Sequence, residues 1–344
     1  MFTSVKHLFD ESSSELKARL ITIYTALAIL NIGAWIWAFV AFHNKPALLG
    51  ISLVIYGLGL RHAVDADHIA AIDNVTRKLM QMGQRPVSVG FFFSLGHSTV
   101  VFIVAVLVAI TVNALSNFEH LQNITGIIST CISAFFLIII AVMNIFIFIS
   151  IYKTYKRVKN GGDYVEEDLD ILLNNRGFLS RLLRPLFKLI TKGWHMFPLG
   201  FLFGLGFDTA TEVSMFAVSA SQINQGIPLT SIMVFPVLFA AGMSLVDTSD
   251  GILMLKAYDW AFVKPMRKLF YNMSITLVSI FVALFIGGIE ALSLIADQFN
   301  LQGSFWNIIS ELSSNFNELG YAIIGIFILA WLISYIIYKT QKIE

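Results

Sequence analysis

The chain has 344 residues, of which 57% are hydrophobic and only 13% charged, and its formal net charge is +1. Its mean hydropathy of +0.76 excludes an ordinary soluble domain, in which about a quarter of the residues are charged. One cysteine, Cys131, excludes a disulfide framework and a thiolate metal site.

Eight apolar windows read as transmembrane helices, at about 20–42, 47–72, 87–112, 124–151, 196–220, 229–254, 273–296 and 319–338. The expected fold is therefore an all-α polytopic membrane protein. It is organised as a tail (1–19), helices one to four (20–152), a hydrophilic loop (153–195), helices five to eight (196–338) and a second tail (339–344). The first tail is polar and contains Glu11 and Glu15. No cleavable signal is expected there, and the first helix serves as the anchor. Of the 23 Lys and Arg residues, 21 fall in the two tails and the loops after helices two, four and six. The exceptions are Lys45 and Arg61. The positive-inside rule then places both termini in the cytoplasm of a cell whose cytoplasmic membrane holds the protein. These bases follow topology, so no nucleic-acid partner is expected. Within the large loop, Phe178, Leu179, Leu182, Leu183, Leu186 and Phe187 recur at helical spacing among Arg and Lys. That pattern suits an amphipathic helix on the inner membrane surface.

The second predicted helix carries Arg61-His62-Ala63-Val64-Asp65-Ala66-Asp67-His68 inside an apolar run. An Asp or Arg at membrane depth costs roughly 2.5–3.5 kcal/mol, so five ionisable groups in eight residues need compensation. A divalent metal supplies it, because imidazole nitrogen and carboxylate oxygen are its ordinary ligands. On a regular helix His62, Asp65 and His68 share an arc of about 120° and would be three ligands. Asp67 falls off that arc. It would either join through a distortion or orient a ligand histidine. Arg61, beside His68, would be the counter-ion of the empty site. The competing reading is a charge network that only holds helices together.

Helix three contributes Ser94-Leu95-Gly96-His97-Ser98-Thr99, in which His97 is either a further ligand or a packed, hydrogen-bonded side chain. Helix five contributes Asp208, Thr209, Thr211 and Glu212. Its two acids, one turn apart, require a cation between them, protonation of one of them or a partner such as Arg61. Helix six ends in Gly242-Met243-Ser244-Leu245-Val246-Asp247-Thr248-Ser249-Asp250-Gly251. It adds oxygen ligands and the Met243 sulfur, with Asp250 near a solvated helix end. Glu290 in helix seven is an isolated carboxylate. Gly57-Leu58-Gly59 and Gly204-Leu205-Gly206 each precede a polar motif. Together they suggest an inverted repeat with glycine-interrupted helices two and five. There is no G-x-x-x-x-G-K-[ST], H-E-x-x-H or G-x-S-x-G.

Arg61-His62-Ala63-Val64-Asp65-Ala66-Asp67-His68-Ile69 resembles the signature of the nickel/cobalt transporter family. Leu95-Gly96-His97-Ser98-Thr99-Val100-Val101, Gly206-Phe207-Asp208-Thr209-Ala210-Thr211-Glu212 and Gly242-Met243-Ser244 leading to Asp247-Thr248-Ser249-Asp250-Gly251 extend the resemblance over the whole chain. The resemblance implies an eight-helix secondary permease that takes up Ni2+, and Co2+ as an alternative cargo, with no permanently bound cofactor. It also implies functional roles for His62, Asp65, Asp67 and His68, for His97, and for Asp208, Thr209 and Glu212. Ser98, Met243 and Asp247 would line the pathway with Arg61. The rival readings are an exporter, a permease for another divalent metal, and a metal-dependent intramembrane hydrolase.

Overall fold

The computed structural model describes residues 14–110, 115–160, 190–205, 226–261 and 265–341, together with positions 212, 215, 218, 219 and 222. Among these residues the structure is all-helical. The helices are α1 (Ser14–Phe42), α2 (Pro46–His62), α3 (Ala66–Gln81), α4 (Val89–Ile110), α5 (Leu115–Lys159), α6 (Met196–Gly204), α7 (Leu229–Ile232), α8 (Val234–Ala261), α9 (Pro265–Phe299), α10 (Ser304–Ser314) and α11 (Phe316–Gln341).

Five helices or helical stretches are long and apolar enough to cross a membrane: Ser14–Phe42, Val89–Leu107, Gly126–Arg157, Leu229–Ala257 and Met273–Phe299. Two bent pairs pass the same test only when taken together, α2 with α3 at 51° and α10 with Glu318–Ala330 of α11 at 79°. The described residues therefore give five to seven spans. Eleven of the 25 residues of the fifth predicted span (196–220) lie outside them, as does 161–189, where an amphipathic loop helix is expected, so the count of eight is not established. The α10 helix falls between the seventh and eighth predicted helices. Its first turn follows Gly303, whose φ of +128° is a conformation that suits glycine. Phe305 and Ile308 of α10 are exposed, as expected of a helix lying at the membrane boundary.

Exposed and inward faces separate along α1. On α1, Ile21, Ile29, Ile32, Ile36 and Val40 are exposed while Leu27, Ala34, Ala38 and Phe42 are buried. The main core joins α1, α2, α4 and α8 through Phe42, Ile55, Val101, Phe235, Phe239 and Met243. With little hydrophobic drive between helices in lipid, close backbone approach at small residues carries the packing. A Cβ on Gly59 of α2 would strike the backbone of Phe239, and one on Gly242 of α8 would meet Tyr56 O at 2.7 Å. A Cβ on Gly96 of α4 would strike Phe197 of α6, and one on Gly90 would strike the carbonyl of Asp247. These crossings bring α2, α4, α6 and α8 together around one interior point. Beside it runs α3, in which every residue except Asp67 and Gln81 is buried.

Candidate metal centre

The site begins where the second predicted span stops being one helix. Val64 N donates to Arg61 O at 3.0 Å and Asp65 N to His62 O at 2.9 Å, a tight turn that closes α2. Asp65 is extended (φ −62°, ψ 144°) at the position before α3, yet its side chain makes no cap bond. Its carboxylate lies instead 2.8 Å from His62 Nδ1. Ile69 N then donates to Asp65 O at 3.1 Å and opens α3. Gly320 of α11 packs directly on the Val64 carbonyl, where any Cβ would collide. A break of this kind within a span is tolerated because it is buried in protein.

Three imidazoles surround the break. The ring centroids of His62, His68 and His97 are 4.8, 4.9 and 4.9 Å apart pairwise, and all three residues are buried. One ligand nitrogen from each lies within 4.8 Å of the other two. His62 Nε2 and His97 Nε2 are separated by 3.1 Å. Two nitrogens bound at about 2.1 Å to one metal at right angles stand about 3 Å apart, so this pair already has the spacing of neighbouring ligands. His68 Nε2 is buried without a hydrogen-bond partner, a ligand lone pair with no other use.

Carboxylates stand behind the rings. Asp65 holds His62 through Nδ1, and Asp247 of α8 lies 3.3 Å from His68 Nδ1 through both oxygens. A carboxylate on Nδ1 keeps the proton there, turns the ring and leaves Nε2 as the metal-facing atom. Glu212 approaches from the ligand side, with Oε1 3.0 Å from His97 Nε2 and 3.9 Å from His62 Nε2. Phe93 meets His68 edge-on at 4.8 Å and Phe239 lies 5.5 Å from His62. This apolar wall strengthens any charge interaction inside it. The arrangement can strip water from a divalent cation and replace it with three nitrogens and one carboxylate oxygen.

Residues 48–337 match the family described as high-affinity nickel-transport protein. The chain belongs to that family. A high-affinity nickel transport protein of Cupriavidus necator is 52% identical over 100% of this chain and 98% of its own length. The nickel transporter NixA of Staphylococcus aureus is 46% identical over 93% of this chain and 95% of its own. The cobalt transport protein NhlF of Rhodococcus rhodochrous is 39% identical over 76% of each. No solved structure matches the chain.

In this nickel-transport family protein the structure rearranges the sequence-derived site. A continuous second helix with His62, Asp65 and His68 on one face is replaced by the break at residues 63–65. Asp65 consequently sits behind His62 instead of beside it, and His97 completes the trio. Asp67 is half-buried in the first turn of α3 and outside the trio, and Arg61 is exposed instead of lying beside His68. Ser98 is buried next to the site with its Oγ lacking a partner. Met243 is packed in the apolar core. Asp208, Thr209 and Thr211 lie outside the described residues.

The sequence reading missed the polar run just past the motif. Asp73, Asn74, Thr76, Arg77 and Lys78 are all buried in α3. Arg77 donates to Asn74 Oδ1 at 3.1 Å, and Asn144 of α5 donates to the same oxygen at 2.6 Å. The apolar window ends at residue 72, so these residues looked like a solvated loop. A signal was nonetheless present, since neither Gly nor Pro interrupts Ala66–Gln81.

Proposed function

We propose that this protein is a secondary permease of the cytoplasmic membrane, with both termini in the cytoplasm. It takes up Ni2+, and Co2+ as a second cargo, through the histidine cluster. The observation that carries this reading is the convergence of His62, His68 and His97 at a buried helix break. The names of the relatives add to it, two as nickel transporters and one as a cobalt transport protein. Nitrogen-rich sites without thiolate suit Ni2+ and Co2+ and bind them above Mn2+ and Fe2+.

The cycle requires little beyond these parts. A hydrated ion reaches the cluster from outside, and Nε2 of His62, His68 and His97 displace its water while Glu212 adds negative charge. Asp65 and Asp247 hold the rings in place as the ion binds. Because α2 and α3 meet at a break, a small change in their angle alters the spacing of His62 and His68 and loosens the ion. An inside-negative potential of about 100 mV contributes roughly 2 × 2.3 kcal/mol to inward movement of a divalent cation. Uptake therefore needs no ATP site in this chain.

The test is accumulation of radiolabelled nickel in cells expressing wild type, His62→Ala or His97→Ala. Both variants are expected to lose accumulation while still reaching the membrane. Unchanged accumulation in both would overturn the reading, and wild-type cells that lose nickel faster than cells without the protein would make it an exporter.

A further inference from the structure

Beyond the histidine cluster, on the side where α3 runs toward its basic loop, lies a second set of buried oxygen groups. Asp73 of α3 is fully buried and accepts a hydrogen bond from Ser279 Oγ of α9 at 2.9 Å. Asp250 of α8 is half-buried, but its Oδ2 is closed to solvent and has no hydrogen-bond partner. The carboxylates of Asp73 and Asp247 both bear electrostatically on Asp250. Helices α3 and α8 are brought together at Gly251, where a Cβ would lie 3.3 Å from Ile72 Cγ2. One turn past Asp73, on the same face of α3, the Thr76 hydroxyl is fully buried and also has no partner. Arg77, one turn past Asp73, gives Nη2 to Asn74, and its Nε and Nη1 have no hydrogen-bond partner. Unpartnered buried oxygens beside two carboxylates are costly unless something binds them.

We propose that Asp73, Asp250 and Thr76 form a second divalent-cation site, built of oxygen alone. It lies about 7.5 Å from His68 along α3, five residues at the helical rise. This inference rests on the reading of the chain as a divalent-cation permease, and it addresses release. A nitrogen site tight enough to capture scarce Ni2+ holds the ion too long unless a weaker neighbour takes it. Asp247, bound to His68 and one turn from Asp250 on α8, links the two sites. Oxygen ligands discriminate poorly among first-row and hard divalent ions. The second site therefore accepts Mn2+, which competes weakly at the histidines.

The experiment uses the full-length protein in detergent, with radiolabelled Ni2+ and Mn2+ as probes. Wild type is expected to bind one Ni2+ that excess Mn2+ does not displace and one that it does, with bound Mn2+ visible by electron paramagnetic resonance. Asp250→Asn should lose the Mn2+ signal and keep the Mn2+-resistant Ni2+, which also reports that it is folded. Thr76→Val should weaken Mn2+ binding, and His97→Ala should lose only the resistant Ni2+. Wild type that binds no Mn2+, or Asp250→Asn and Thr76→Val that both bind it as wild type does, would overturn the second site. Failure of the permease reading is separate: it would be nickel uptake that survives loss of the histidines.

Discussion

Asp65 is the residue whose role the structure changes most, and its substitution tests the geometry directly. The His62 Nδ1 to Asp65 Oδ2 distance of 2.8 Å is that of a charge-assisted bond. Such bonds contribute about 1.5–3 kcal/mol, against about 0.5–1.5 for a neutral pair. Asp65→Asn keeps an acceptor and loses the charge, a difference of about 1–1.5 kcal/mol, or roughly tenfold in affinity. Asp65→Ala removes the bond, frees the ring and should weaken nickel binding by about 100-fold, the upper end for a residue that steers a ligand histidine. The assay is the nickel concentration dependence of uptake in cells, paired with equilibrium binding to the purified protein. Half-saturation should rise in the order wild type, Asn, Ala, with Zn2+ and Co2+ shifting alongside Ni2+. If Asp65→Ala binds nickel within about twofold of wild type, Asp65 does not hold His62 for the metal and the reasoning fails.

Two further outcomes follow from the same geometry. Gly320→Ala places a methyl group against the Val64 carbonyl and forces α11 away from the break. Nickel uptake should fall without any ligand having been touched, and full activity in this variant would mean that the bend is not held by α11. Nickel binding by the purified protein should decrease steadily between about pH 8 and pH 5, because protons and the metal compete for the same imidazole nitrogens. Isothermal titration across that range checks the sign; binding that strengthens toward acid would contradict a histidine site.

The chemistry of the site was legible in the sequence to the extent that it depends on residue type. Two histidines and two aspartates in an apolar run announce a metal whatever their exact placement. The roles within that set depend on backbone direction, and periodicity cannot report it. An ideal helix through residues 47–72 puts Asp65 on the metal face, whereas one extended residue at Asp65 moves it behind His62. That residue carries no glycine or proline signal, and Gly320, which holds the break, lies more than 250 positions away. His97 was equally ambiguous. Its arrival beside His62 depends on Gly90 and Gly96 letting α4 approach α8 and α6, a tertiary fact. Arg61 was misplaced by the same ideal-helix assumption. The buried part of α3 past residue 72 was lost because hydropathy ends a span where charge begins, and here charge is enclosed by five neighbouring helices.

The enclosure of α3 has a mechanical consequence. A helix gripped on all sides by α4, α5, α8, α9 and α11 meets almost no lipid and cannot swing without unpacking every neighbour. It behaves as an axle. Alternate opening of the site to the two sides of the membrane then falls to the surrounding wall. In the proposed permease, His68 would stay fixed on the axle while His62 and His97 are carried toward it or away.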